Sequence, residues 1–186
     1  MDFLAQDKSI LGCFKWSVEL ILFIIILIVM IQLLKSMIYR IITFAFGLKA
    51  AYFIDTKLTF VGVIVHELSH ALMAVITLAH VNGMSLFNII PRNGTLGEVQ
   101  VSFSVNTILG SVQKFFVGIA PLISGTLILM YMSKLSLTGW QESLKLYIMI
   151  SILYHMSISK QDLKVSIAGI PGLIIAIAII RMIMTM

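Results

Sequence analysis

The residues of this chain best suited to chemistry are His66, Glu67 and His70, in the run His66-Glu67-Leu68-Ser69-His70. Two histidines four residues apart lie one above the other on the same helical face, so both imidazoles can reach one ion. Tetrahedral zinc sites use that geometry for two of their ligands. Glu67 follows His66 by about 100° around the helix and can flank the ion without ligating it. That placement suits a general base taking a proton from a metal-activated water.

The same spacing occurs in soluble helices as two exposed histidines and a solvated glutamate. Here the setting differs, because the stretch from Leu58 to Ala79 holds no other ionisable residue. A charged group at mid-bilayer costs roughly 2.5 to 3.5 kcal/mol on insertion scales. Three polar groups in such a helix call for a common partner, and a metal ion satisfies all of them.

A third protein ligand must come from elsewhere in the chain. The metzincin pattern would need a histidine six residues beyond His70, where this chain has Ile76. If the helix runs on to His80, that residue lies about 15 Å further along and cannot join the same ion; it reads as interfacial. The remaining candidates are Asp162, His155, Glu98 and Glu142. Glu142 falls in a polar connection from Leu137 to Ser143 and reads as solvated. Asp162 has a structural reading as well, since Ser159-Lys160-Gln161-Asp162 has the form of a capping box opening the last helix.

The elements that position these groups belong to a membrane protein. Hydrophobic residues make up 60% of the 186 and charged residues 11%, against about a quarter charged in soluble domains. The mean hydropathy is +1.07. The formal net charge of +5 comes from Lys and Arg scattered singly at the ends of apolar runs, a pattern of interfacial anchors that argues against a nucleic-acid surface. The single cysteine, Cys13, excludes an intrachain disulfide framework. Asp2 and Asp7 dilute the basic character of the N-terminus, and no small-residue cleavage pattern follows Leu34, so the first apolar run is expected to be a retained helix.

The expected fold is an all-α polytopic bundle of about four to six membrane segments, with a short β-hairpin after the HExxH helix, in one integral membrane domain over residues 1–186. Val18 to Leu34 is the anchoring helix, and residues 58–172 form the core. Lys35 to Lys57 is expected as an interfacial helix or a second crossing, with its positive ends towards the cytoplasm. Leu58 to His80 is the next crossing. Pro91-Arg92-Asn93-Gly94 is a turn signal, and Val99, Val101 and Phe103 alternate with polar residues, which predicts a strand pair. Val112 to Met132 is a crossing kinked by Pro121, and Gly118 and Gly125 share a face that admits a close neighbour. Leu144 to Met156 is too short for a full span. A last helix runs from about Lys160 to Met184.

With these passages in place, the chain resembles the site-2 protease family of intramembrane zinc metalloproteases, and within it a small, poorly characterised branch. The resemblance covers roughly Phe60 to Gly172: VGVIVHELSHAL, the passage ending GEVQVSFS, then FFVGIAPLISG and HMSISKQDLKVSIAGIPG. It implies one zinc ion per chain, held by His66, His70 and Asp162, with Glu67 as the catalytic acid and base. Asp162 stands in a Lys160-Gln161-Asp162-Leu163 context, where better-known members carry Asn-Pro-Asp-Gly or Leu-Asp-Gly. The expected partners are the lipid bilayer and a membrane protein or peptide substrate, whose unwound segment an exposed strand edge could hold by strand addition. Localisation would be integral and multi-pass, in the cell membrane if the chain is bacterial. Two alternatives stand beside this reading: a gluzincin-type membrane protease using Glu98, and a non-catalytic zinc-binding membrane protein.

Topology adds one expectation about Asp162. A continuous crossing from Leu144 onwards would carry it to the far side of the membrane from the HELSH helix. A helix that breaks near Ser157 to Ser159 and restarts would turn Asp162 towards the metal. His155, just before the break, would then be a reserve ligand or a group orienting Asp162. Irregular backbone at that depth is tolerable where it is buried in protein or lines a wet cavity.

Overall fold

The computed structural model describes residues 10–88 and 96–185. Most of the chain is helical: α1 (Ile10–Phe46), α2 (Leu48–Phe53), a π-helical turn (Ile54–Leu58), α3 (Phe60–Ile76), α4 (Ile108–Gly118), α5 (Ala120–Ser133), α6 (Trp140–His155) and α7 (Lys160–Thr185). Between α3 and α4 lie two antiparallel strands, β1 (His80–Ser85) and β2 (Glu98–Ser102). The expected turn at Pro91 to Gly94 lies outside the described residues.

α1 and α7 are long and apolar enough to cross a membrane. The bent pairs formed by Leu48–Leu58 with Phe60–Ile76 and by Ile108–Gly118 with Ala120–Ser133 bring the candidate spans to four if each pair is one span. α6, with 16 residues, is shorter than the roughly 20 needed. α1 presents large apolar side chains outward, among them Phe23 at 65% and Met30 at 63% exposure, as a lipid-facing helix does and a soluble one does not.

The division at Lys35 is not observed. α1 continues to Phe46 and stops at Gly47, whose φ of 83° suits a residue without a Cβ. Lys35 stays inside the helix because it has partners there: its Nζ is 4.0 Å from Asp55 Oδ1 and lies 4.9 Å from the centre of the Tyr154 ring. A cation paired this way does not need to reach an interface.

α3 also ends earlier than its apolar composition suggests, and His80 is the first residue of β1 rather than part of the helix. The stop is a Schellman motif, in which Ala79 N donates to Ala74 O and Leu78 N to Val75 O. Leu78 occupies its left-handed position with φ 60°, where glycine is usual. The carbonyl of Thr77, next to that stop, accepts from Gln113 Nε2, and Gln113 Oε1 accepts from the main chain of Ser104. One buried glutamine of α4 thus ties the end of α3 to the exit of the strand pair.

The stretch from Val112 to Met132 is two helices meeting at 51° around Ile119. Pro121 sits in the first turn of α5, where a missing N–H is tolerated. Because of that bend, Gly118 and Gly125 serve different neighbours instead of one face. A Cβ at Gly118 would collide with Ser166 of α7, and one at Gly125 would lie 2.9 Å from Met156 Cβ. The buried apolar core joins Ile21 and Ile28 of α1, Phe115 of α4, Ile119, Ile158 and Leu173 of α7.

Candidate metal centre

His66 and His70 project from the middle of α3, and each donates through Nδ1 to a main-chain carbonyl. His66 Nδ1 donates to His155 O and His70 Nδ1 to Val117 O, both at 2.7 Å. Both carbonyls are available because a helix breaks just beyond them. α6 ends at His155, so no amide four residues on closes its bond. Pro121, four residues after Val117, has no N–H to offer. These two bonds fix the tautomer and leave both Nε2 lone pairs directed inward.

The inward atoms converge with Asp162. His66 Nε2 is 3.2 Å from His70 Nε2 and 3.4 Å from Asp162 Oδ2, and His70 Nε2 is 3.3 Å from Asp162 Oδ1. Bonds of about 2.0 to 2.1 Å to a tetrahedral ion give ligand-to-ligand edges of about 3.3 to 3.4 Å. One proton could bridge a single pair of these acceptors; a divalent cation serves all three at once. Among the described residues this is the one group of His, Cys, Asp or Glu side chains able to hold a metal ion.

Asp162 reaches this position through the break between α6 and α7. Met156 to Ser159 leave the helix, and α7 restarts at Lys160, at the place where the short Leu144 segment and Ser157-Ile158-Ser159 suggested it. Asp162 is also half of a capping box: Ser159 N donates to Asp162 Oδ2 at 3.0 Å, and Asp162 N donates to Ser159 Oγ at 3.1 Å. The capping role and the metal-facing role coexist, since a carboxylate accepts several bonds.

The other candidates do not join this group of converging atoms. The His155 side chain turns away, with Nε2 2.7 Å from Thr59 Oγ1; the residue acts on His66 through its carbonyl instead of orienting Asp162. Glu98 opens β2, exposed, and accepts from Gln100 Nε2 at 3.0 Å. Glu142 lies in the first turn of α6, not in a connection, and its Oε2 is 2.8 Å from Lys145 Nζ. His80 is on β1.

Glu67 lines a cavity of about 1090 Å³ together with His66, His70, Asp162 and residues Leu96 to Val101. Its side chain packs where Gly97 has no Cβ: a methyl there would come within 2.5 Å of Glu67 Cγ. The strand pair is therefore one wall of the site. Gln32, Lys35, Ser36 and Tyr39 of α1 line the same cavity. An almost purely aliphatic run in α1 hides this contribution in the sequence, and Gln32 within that run is the one signal of it.

Comparisons with family models, curated proteins and solved structures find no match to this chain.

Proposed function

We propose that the protein is an intramembrane zinc metalloprotease that hydrolyses peptide bonds of membrane-embedded substrates, in the manner of the site-2 protease family that its motifs resemble. The observation that carries this reading is the convergence of His66 Nε2, His70 Nε2 and the Asp162 carboxylate beside Glu67 in a strand-walled cavity. Two imidazoles and one carboxylate are a donor set of catalytic zinc, with a fourth position left for water or substrate. Bound there, zinc supplies a Lewis acid for the scissile carbonyl and an acidified water. Glu67 takes a proton from the attacking water on its carboxylate and delivers it to the amide nitrogen as the C–N bond breaks. β2 offers an extended strand on the cavity wall, and an unwound substrate segment could add to the strand pair there through main-chain hydrogen bonds.

In this reading α1, α7 and the two bent pairs are membrane spans of a multi-pass protein, and α6 is the partial span that delivers the break. An intact Glu67 beside the ligands favours turnover over zinc storage, which needs no general base.

The test is cleavage of a transmembrane substrate by the purified, zinc-loaded protein. Glu67→Ala is expected to keep one zinc per chain and to lose activity by about 10² to 10⁴-fold. Unchanged cleavage by Glu67→Ala would refute the assignment, and zinc binding without any cleavage by the wild type would favour a non-catalytic zinc protein.

A further inference from the structure

Gln32 lies inside the apolar α1, and its Nε2 donates to the carbonyl of Ile158 at 2.8 Å, across 126 positions of sequence. Ile158 belongs to the four-residue break between α6 and α7 and is buried among the same side chains as Ile21 and Ile28 of α1. A buried carbonyl left unpaired is destabilising, and in a break no helical amide supplies its partner. The carboxamide of Gln32 does so from outside.

The position of that carbonyl gives the bond its consequence. Three residues before it, His155 O receives the Nδ1–H of His66. One residue after it, Ser159 N donates to Asp162 Oδ2. Two of the three metal-facing groups are therefore aimed by one short unwound stretch, and α1 grips that stretch between the two attachment points.

Building on the metal centre described above, we propose that Gln32 is a positioning residue: its carboxamide pins the Met156–Ser159 break through Ile158 O and so sets where the His66 ring and the Asp162 carboxylate stand. α1 is then a structural member of the site as well as an anchor. Groups that orient metal ligands from outside typically contribute 10- to 100-fold in metal affinity. Gln32 acts through the backbone, so an effect near the lower bound is expected.

The experiment compares Gln32→Leu and Gln32→Met with Ile21→Ala in the full-length protein. Both Gln32 variants remove the donor, and Gln32→Met keeps the shape closely enough to serve if Gln32→Leu does not fold. Ile21→Ala loosens α1 packing while leaving the hydrogen bond. Zinc affinity is read by chelator competition and ligand geometry by the visible spectrum of the cobalt-substituted protein. The expected result is about tenfold weaker zinc binding and an altered cobalt spectrum in the Gln32 variants, with neither change in Ile21→Ala. A folded Gln32 variant with wild-type affinity and spectrum would overturn the proposal, as would the same changes in Ile21→Ala. A wild-type protein that binds neither zinc nor cobalt would remove the metal centre itself, and the proposal with it.

Discussion

His70 donates its Nδ1–H to the carbonyl of Val117 at 2.7 Å; Val117 lies in the last turn of α4, where the bend at Ile119 ends the regular helical ladder, and Pro121, four places on, has no N–H to offer it. In an unbroken helix an amide N–H would occupy that carbonyl. The break between α4 and α5 thus acts on the candidate metal centre from helices that supply none of its three converging groups.

Pro121→Ala adds an N–H four residues beyond Val117, which lets α4 and α5 straighten towards one helix and then competes with His70 for Val117 O. The expected outcome is zinc binding weakened by about tenfold, as for other groups that orient a ligating histidine. Chelator competition measures it. Wild-type affinity in Pro121→Ala would mean that the bend at Ile119, and not the proline, keeps Val117 O available to His70.

The two roles of Asp162 separate by substitution. Asp162→Asn keeps an oxygen for Ser159 N and should retain the cap while weakening metal binding. Ser159→Ala removes the hydroxyl that accepts from Asp162 N and should cost about 0.5 to 2 kcal/mol of stability. Chemical unfolding without metal, read beside metal content, distinguishes them. Equal loss of metal and stability in both variants would show that cap and ligand cannot be parted.

The sequence made the HELSH pair and the capping box legible because each depends on side-chain types at fixed spacing; the short α6 was legible from the length of its apolar run, though its start at Trp140 was not. His66 and His70 needed only helical periodicity, and Ser159 with Asp162 needed only the three-residue offset. What stayed hidden rests on the main chain or on tertiary partners. The acceptors at His155 and Val117 are backbone carbonyls, which any residue type provides. Lys35 looked like a boundary because its partner Asp55 is reached only in three dimensions. The end of α3 was hidden because Leu78 stands where glycine would have announced it.

Gly118 controls how closely α4 and α7 approach. A Cβ there would collide with Ser166 Oγ and lie 2.7 Å from Asp162 O, and the latter is backbone, which cannot rotate away. Gly118→Ala gains about 1 kcal/mol of helix propensity but overpacks a tight contact at a cost of typically 1 to 3 kcal/mol. The helices should separate, carrying Val117 and Asp162 apart. Reduced stability together with weaker zinc binding is expected in thermal unfolding and zinc titration. A variant as stable and as tight-binding as wild type would contradict the close packing.

Leu78 gives the converse case, a position where glycine should help. Its φ of 60° places a branched side chain in the left-handed region, which costs roughly 1 to 2 kcal/mol for a residue with a Cβ. Leu78 is 81% exposed, so its removal forfeits little burial. Leu78→Gly relieves the strain, and the greater freedom of glycine in the unfolded chain takes back about 0.5 to 1 kcal/mol. The net expectation is a gain of about 0.5 to 1 kcal/mol in chemical unfolding, with zinc affinity unchanged because the motif lies a full turn beyond His70. Leu78→Ala keeps the Cβ and should show no such gain. An equal gain in both variants would trace the effect to loss of the exposed leucine side chain and not to backbone strain.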